Sequence, residues 1–212
     1  MLTLYGSTGS GSAAVEAALL LCDAPFRLVR ASSWEADSDQ AALLKINPLG
    51  QIPTLQLPDG SVLTESAAIL IHLGLVYPEA GLLPADASAR AQAIRGLVYV
   101  AANCYAAIGV IDYPERWIEG DEPAHKALRS GARRRLHQCW DVFADQFSVG
   151  DAPFFGGRQP GALDLLATVV SRWSGARPHL LKHRPALHAV FERTQAHPAL
   201  AALFARHWPK AA

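Results

Sequence analysis

Small polar residues between an apolar start and a helical pattern form the first candidate site. Residues 4–21 (LYGSTGSGSAAVEAALLL) pass from a predicted strand, through a loop of Gly, Ser and Thr, into a predicted helix. The free N–H groups and the dipole at a helix N-terminus favour an anion. The loop has neither the Lys-Ser/Thr ending of a P-loop nor a correctly spaced GxGxxG motif, so it is weak evidence for a nucleotide. The segment predicts an anion site whose ligand has to be identified from the rest of the chain.

Short strands and helices alternate in the first third of the chain and would position this loop. We predict strands over 2–5, 26–30, 54–57 and 62–63, and helices from 12, over 36–45 and over 65–76. The first helix has apolar residues at i, i+3, i+4 and i+7 spacing, and Pro58-Asp59-Gly60 is typical of a hairpin turn. This order predicts an α/β domain with a small mixed sheet covered by helices.

The pattern changes beyond Tyr77. Residues 78–88 carry two prolines and a glycine and are predicted to be a linker. No convincing strand follows, and further helices are predicted around 123–147, 161–173, 185–196 and 198–208. An apolar stripe at three- and four-residue intervals predicts a core-facing helix surface, formed by Ile94, Leu97, Val98, Ala101, Tyr105 and Ile108. Two domains are therefore predicted, an α/β domain over 1–77 and an all-α domain over 89–212.

Composition favours a globular protein and argues against several partners. Half of the 212 residues are hydrophobic, and 19 Lys plus Arg balance 19 Asp plus Glu, so nothing indicates nucleic acid or an anionic membrane. The three cysteines are far apart and the eight histidines have no ligand-like grouping, so a metal is not expected. The N-terminus lacks the features of a secretory signal, and no uninterrupted apolar stretch is long enough to span a bilayer. We expect a cytoplasmic protein.

Two motifs together identify a family. Residues 47–55 (NPLGQIPTL) and 64–69 (TESAAI) resemble the signature of the cytosolic, bacterial-type glutathione S-transferases, in which an NPxGxVP-type loop precedes a cis-proline and an ESxAI-type helix start follows the next hairpin. The resemblance extends over the whole chain. It implies a thioredoxin-like, glutathione-binding first domain, a linker and a helical second domain. It also implies glutathione as co-substrate and a homodimer.

The resemblance assigns glutathione contacts to both motifs. A cis Ile52–Pro53 bond would present the N–H and C=O of Ile52 to the cysteinyl backbone of glutathione, whereas a trans proline opening an edge strand is the alternative. Glu65 and Ser66 begin a helix, where the carboxylate of the γ-glutamyl end would be favoured. The alternative for these two residues is that they only cap the helix.

Further contacts follow from the same resemblance. Gln51 is predicted to bind the backbone or glycyl carboxylate of glutathione, and Trp34 lies in the region that meets the glycyl end, although packing is an alternative role for it. The electrophile pocket should be lined from the second domain. Its candidate residues, each of which could instead serve the core or a dimer interface, are Tyr99, Asn103, Ala106 and Trp208.

On this hypothesis the anion of the opening loop is a thiolate. A cysteine thiol with a pKa near 8.5 is mostly protonated at neutral pH, and a hydroxyl donor at a helix N-terminus favours ionisation. Ser10 is the preferred catalytic donor, Tyr5 and Ser12 remain open, and Ser7 is a weaker candidate. Ser12 could instead be the helix N-cap. Gly11 stands where a bacterial cysteine-type class has its cysteine, which argues against mixed-disulfide chemistry there.

A second departure from the family lies in residues 161–165 (GALDL). The family usually has Ser or Thr as the helix N-cap three residues before the aspartate, and this chain has Gly161. Glycine can also cap a helix, and Asp164 could still accept hydrogen bonds from backbone N–H groups near the turn. We expect this change to affect folding and not chemistry.

The sequence therefore predicts a glutathione transferase that activates the glutathione thiolate for attack on a small hydrophobic electrophile, with a role in detoxification. The alternative is a non-catalytic module of the same fold that binds glutathione, another ligand or a protein partner. The loop lacks the Ser-Ser-Cys pattern of the maleylacetoacetate isomerase class, which argues against that reaction.

Overall fold

The computed structural model describes residues 1–209, and its first part is built on a four-stranded mixed sheet. The strands are β1 (Leu2–Gly6), β2 (Phe26–Arg30), β3 (Thr54–Gln56) and β4 (Val62–Leu63), in the order β2-β1-β3-β4. β1 is parallel to β2, and β3 is antiparallel to both β1 and β4. The helices α1 (Ser12–Leu21), α2 (Gln40–Ile46) and α3 (Ser66–Val76) complete a thioredoxin-like domain. The predicted mixed sheet is confirmed.

Successive residues of β1 point to opposite faces of the sheet, and this separates two groups of buried side chains. Leu4 belongs to the main core, together with Leu55 of β3 and Leu19 of α1. Tyr5, the next residue, packs in a smaller group with Leu43 on the opposite face. Alternation along the strand thus directs the Tyr5 ring away from the main core.

The second part is helical, as predicted. Its elements are α4 (Ala87–Tyr99), a π-helix (Val100–Tyr105), α5 (Ala106–Asp112), α6 (Glu122–Gln146), α7 (Ala162–Val170), α8 (Ala176–His183), α9 (Pro185–Ala196) and α10 (Ala201–His207). The predicted linker, 78–88, contains a short 3-10 helix, Pro78–Ala80, and the start of α4. The α/β-then-all-α fold class is confirmed, and the domain boundaries stay a prediction.

Two helices differ from the sequence prediction for local reasons. α2 begins at Gln40, not at residue 36, because the preceding segment bonds elsewhere: Ser38 Oγ donates to the carbonyl of Ser32 and accepts from its N–H. α8 was not predicted. It is separated from α7 by Ser174 and Gly175, whose φ angles of 56° and 79° break the helical path.

Asp164 organises the turn before α7. It is fully buried, and its carboxylate accepts hydrogen bonds from the N–H groups of Phe155, Gly156 and Gly161, each at 2.9 Å. The predicted bonding of Asp164 is thereby confirmed. A Cβ on Gly161 would lie 3.0 Å from the carbonyl oxygen of Leu82, so the close approach of two chain segments accounts for glycine at this position.

One helical stretch has the length and composition to cross a bilayer. Ala87–Asp112 runs through α4, the π-helix and α5, and it was not identified in the sequence because charged and polar residues interrupt it. In this structure it packs against α6 and α7. A third of its apolar window is buried in this packing, and other residues of the stretch line a cleft.

Candidate active site

A cleft of about 1000 Å³ lies between the two parts of the chain. On the thioredoxin-like side it is lined by residues 8–11, 51–53 and 64–66, which come from the three loops that precede α1, β3 and α3. On the helical side, the π-helix and α5 contribute Ala101, Tyr105, Ala106 and Asp112. The loops with the predicted chemistry thus face a helical wall.

The loop before β3 presents unpaired backbone to this cleft. The Ile52–Pro53 bond is cis, as the resemblance implied. Asn47 holds the loop, since its Nδ2 donates to the Gln51 carbonyl at 3.0 Å and to Thr54 Oγ1 at 2.9 Å. Ile52 lines the cleft, and within residues 1–209 neither its N–H nor its C=O has a hydrogen-bond partner. An extended peptide could therefore pair with this residue as it would with a strand edge.

The start of α3 is a second open set of donors. Glu65 has a φ of 64°, an uncommon value for a non-glycine residue, and such strain is concentrated at functional sites. Glu65 makes no side-chain capping bond, and the Ser66 hydroxyl has no protein partner in the described chain. Both residues line the cleft. The interpretation that they only cap the helix is therefore not supported, and the site interpretation is favoured.

The loop before α1 carries a compact hydroxyl network. Ser10 lines the cleft, and its Oγ lies 2.7 Å from both the Ser7 carbonyl and Ser12 Oγ. The backbone N–H of Ser12 also donates to Ser10 Oγ, at 3.2 Å. When Ser10 turns its proton to a ligand, Ser12 Oγ can donate to Ser10 Oγ, and the Ser7 carbonyl still accepts from the backbone N–H of Ser10 at 3.3 Å. The network therefore holds Ser10 Oγ in place and leaves its proton available.

The C-terminal helix holds this loop from behind. His207 is 5% exposed, and its Nδ1 accepts from the Gly9 N–H at 3.1 Å while its Nε2 donates to Glu16 at 2.8 Å. Arg206 also bonds Glu16, which is buried in α1. One imidazole thus connects α10, α1 and the loop of residues 7–11 before α1, called the serine loop below.

We expect the His207→Ala variant to lower the free energy of unfolding by about 3 kcal/mol. The change leaves the Gly9 N–H without its acceptor, and the buried Glu16 carboxylate loses the hydrogen bond from the imidazole. Urea unfolding followed by circular dichroism measures the loss, and alanine at the exposed His183 is the matched control with an expected change under about 0.5 kcal/mol. Equal stability of the two variants would show that the hydrogen bonds of His207 to Gly9 and Glu16 contribute little.

Tyr105, predicted to lie on the core-facing stripe, lies in the wall of the cleft. Its hydroxyl has no hydrogen-bond partner within residues 1–209, and its ring stacks on Trp173, which also lines the cleft. Tyr105 closes the π-helix, a form that is frequent at functional sites. The only signal available in the sequence was the low charge of this helix, which indicated burial on more than one side.

Eight of the predicted site residues are brought together. They all line the cleft: Ser10, Trp34, Gln51, Ile52, Pro53, Glu65, Ser66 and Ala106. Trp34 lies at its rim with 57% of its surface exposed.

Two of the predicted hydroxyl donors do not reach the cleft. Tyr5 packs among apolar residues on the face of the sheet away from the main core, and it is not among the residues that line the cleft. Ser12 is 1% exposed and is the first residue of α1, whereas Gly11 is the N-cap, so the alternative that Ser12 caps the helix is off by one residue. Ser12 contributes through its bond to Ser10.

Three of the predicted electrophile contacts lie elsewhere. Tyr99 donates its hydroxyl to the Cys139 carbonyl at 2.9 Å, and Asn103 donates to the Tyr99 carbonyl at 3.2 Å, so both serve helix packing. Trp208 packs against Phe204 and His207 behind the serine loop. The same helical stretch faces the cleft with Ala101, Tyr105 and Ala106. Spacing did not predict this, because an apolar helix surface can be covered by a core or can line a cleft.

The cysteines of the chain do not offer a ready thiolate. Burial raises the pKa of Cys22 to about 11, and it raises the pKa values of Cys104 and Cys139 as well. All three thiols are unpaired, and within residues 1–209 no three His, Cys, Asp or Glu side chains group to hold a metal ion. A thiolate at the serine loop would have to come from a bound substrate.

A thioredoxin-like domain, a helical second part and a cleft between them define the architecture of glutathione transferases. The protein-family model of the glutathione S-transferase N-terminal domain matches residues 12–75 of the sequence. A solved glutathione transferase homolog from Sulfitobacter, with bound glutathione, is similar over 96% of both chains, with a TM-score of 0.82 and 26% identity.

Two curated relatives agree with this architecture. The uncharacterized GST-like protein YncG of Escherichia coli (strain K12) is 39% identical over 119 residues, 55% of this chain and 57% of that protein. The match thus spans little more than half of that relative. A maleylacetoacetate isomerase of Pseudomonas aeruginosa is 27% identical over 94% of this chain and 95% of its own. The chain thus has the fold of the glutathione transferases, and residues 12–75 match their N-terminal domain.

Proposed function

We propose that this protein is a glutathione transferase, which binds glutathione in the cleft and activates its thiolate for attack on a small hydrophobic electrophile. The observation that carries the proposal is the unpaired backbone of Ile52, which lies in one cleft with the N-termini of α1 and α3. The fold relative with bound glutathione supports the identity of the peptide.

The charges along the cleft suit one orientation of glutathione. The γ-glutamyl carboxylate would lie at the start of α3, where Ser66 adds a hydroxyl donor and Glu65 can accept from the ammonium group. The cysteinyl backbone would pair with the N–H and C=O of Ile52. The glycyl end would then extend toward Gln51 and Trp34, both of which line the same cleft.

This orientation directs the thiol to the serine loop. Ser10 Oγ lies at the N-terminus of α1, where a hydroxyl donor and the helix dipole both favour the ionised sulfur. The thiol proton leaves to solvent and the sulfur keeps the electron pair. Ser10 acts as a hydrogen-bond donor to this thiolate and does not itself form a covalent bond.

The helical wall supplies the site for the electrophile. Ala106 and Ile108 of α5 provide apolar surface, and Trp173 provides a flat aromatic face. A lone pair of the thiolate sulfur forms a C–S bond to the electrophilic carbon there. In a substitution the leaving group departs with its bonding pair, and in an addition the pair moves onto the acceptor, which takes a proton from water.

Calorimetric titration with reduced glutathione tests this function. We expect one-site binding to the wild type and an increase in Kd of about tenfold or more in both Ser66→Ala and Glu65→Ala, since each loses a hydrogen bond to a charged group. Alanine at Glu79, an exposed glutamate outside the cleft, is the matched control and should leave Kd unchanged. Absence of binding at millimolar glutathione would overturn the proposal and favour the non-catalytic alternative.

A further inference from the structure

The hydroxyl of Tyr105 lies against the start of α1. A Cβ added to Gly11, the N-cap of that helix, would overlap the Tyr105 hydroxyl oxygen and would lie 3.1 Å from the ring carbon that carries it. The phenol therefore occupies the space that any side chain at position 11 would fill. Glycine at this position is explained by the approach of a residue from the helical part of the chain.

The Tyr105 hydroxyl is held in place without being consumed. The ring stacks on Trp173 with centroids 5.6 Å apart and an interplanar angle of 22°, and it is anchored at the end of the π-helix. Its hydroxyl makes no hydrogen bond within residues 1–209, although the residue is largely buried. Since Tyr105 lines the cleft, its hydroxyl is free to donate to a group bound there.

Other hydrogen-bond donors lie near this hydroxyl. Gly11 and Ser10 line the same part of the cleft, at the N-terminus of the ten-residue helix α1. The Gly11 N–H has no acceptor among the described residues. A donor from the helical wall thus lies beside the N-terminus of α1, where the proposed function places the glutathione sulfur.

We propose that Tyr105 is a second hydrogen-bond donor to the glutathione thiolate, presented from the helical part of the chain opposite Ser10. This inference rests on the proposed function and assigns a further catalytic residue to it. The phenol donates its hydrogen bond to the sulfur and keeps its proton. The thiolate is thereby held between two hydroxyl groups, one from each part of the molecule.

The charge state of the phenol agrees with a donor role. Burial raises the pKa of Tyr105 to about 12, and the nearby carboxylates of Asp112 and Glu65 act in the same direction. Tyr105 therefore stays protonated throughout the range in which the bound thiol titrates. A phenol that kept a low pKa would compete with the thiol for ionisation, and this one does not.

The Tyr105→Phe variant tests the inference. We expect the apparent pKa of the bound thiol, from the pH dependence of kcat/KM and of the ultraviolet thiolate absorbance, to rise by about one unit. Activity at pH 6.5 should fall about tenfold, while the Kd for glutathione changes by less than about threefold. Phenylalanine at Tyr77, which lies outside the cleft, is the matched control and should leave the thiol pKa unchanged.

The Gly11→Ala variant removes the hydrogen bond of Tyr105 to the thiolate in a second, independent way. Its methyl group would displace the Tyr105 hydroxyl, so the thiol pKa should rise by a similar amount. In the Tyr105→Phe background, where the overlapping oxygen is absent, the same change should add little further rise.

The outcomes separate the two proposals. If the wild type does not bind glutathione, the proposed function fails. If the wild type binds glutathione as an ionised thiol and Tyr105→Phe leaves its pKa unchanged, the role of Tyr105 is overturned and the function stands. A loss of glutathione affinity with an unchanged thiol pKa would also overturn the donor role. Additive effects of the Gly11 and Tyr105 changes on the thiol pKa would do the same.

Discussion

The Ser10→Ala variant is expected to lose about 100-fold in kcat/KM at pH 6.5, with its affinity for glutathione changed by less than about threefold. Without the Ser10 hydroxyl, the apparent pKa of the bound thiol should rise by about two units toward that of a free cysteine, which lowers the ionised fraction at this pH by up to about 100-fold. Initial rates from pH 5.5 to 9 with an activated aryl chloride measure the effect. The loss should shrink as the pH rises, because the thiol then ionises unaided.

Two variants in the same region serve as controls. The Ser7 hydroxyl is buried without a partner and does not line the cleft, so Ser7→Ala should keep full activity. Tyr5→Phe should also keep full activity, because Tyr5 does not line the cleft. Full activity in Ser10→Ala together with a large loss in Tyr5→Phe would show that the hydroxyl of Tyr5 donates the hydrogen bond to the thiolate. The assignment of Ser10 would then be wrong.

The Asp164→Ala variant should lower the free energy of unfolding by about 3 to 5 kcal/mol. It removes the acceptor of three N–H groups in the turn before α7, and each donor left without a partner costs about 1 to 3 kcal/mol. For a chain of this size the midpoint of thermal unfolding should fall by roughly 10 °C. Urea unfolding and thermal melts at pH 7 measure both quantities.

A conservative variant separates lost volume from lost acceptors. Asp164→Asn keeps the size of the side chain, but an amide offers one acceptor oxygen where the carboxylate offers two, so a loss of at least about 1 kcal/mol should remain. Asp151 is exposed and makes no side-chain hydrogen bond in the described chain, and Asp151→Ala should change stability by less than about 0.5 kcal/mol. An asparagine variant as stable as the wild type would show that the bonds to Asp164 contribute little.

Much of the fold was predictable from local patterns. Strand β2, Phe26–Arg30, and helix α9, Pro185–Ala196, have the predicted bounds, because apolar spacing and flanking prolines are local signals. The failures have local causes that a pattern does not show. Side-chain hydrogen bonds of Ser38 shorten α2, and two positive φ angles at Ser174 and Gly175 separate α8 from α7.

The glutathione half of the site was also predictable, since its parts lie within two short motifs. Ile52 and Pro53 follow one loop, while Glu65 and Ser66 begin one helix, and residue type and order there determine the unpaired backbone and the helix N-terminus. Such groups act through their own backbone. They therefore need little from the rest of the chain beyond a sheet that places the two loops side by side.

The sequence by itself determined the order of strands and helices, the family resemblance and the motif residues, because these depend on neighbours in the chain. Only the tertiary structure decided which side chains reach the thiol and the electrophile. An apolar stripe is buried equally well by a core or by a cleft, so spacing could not show that Tyr105 faces the cleft while Tyr99 packs in the core. Contacts between residues far apart in the chain, such as Tyr105 with Gly11, depend on how the helices pack against the sheet.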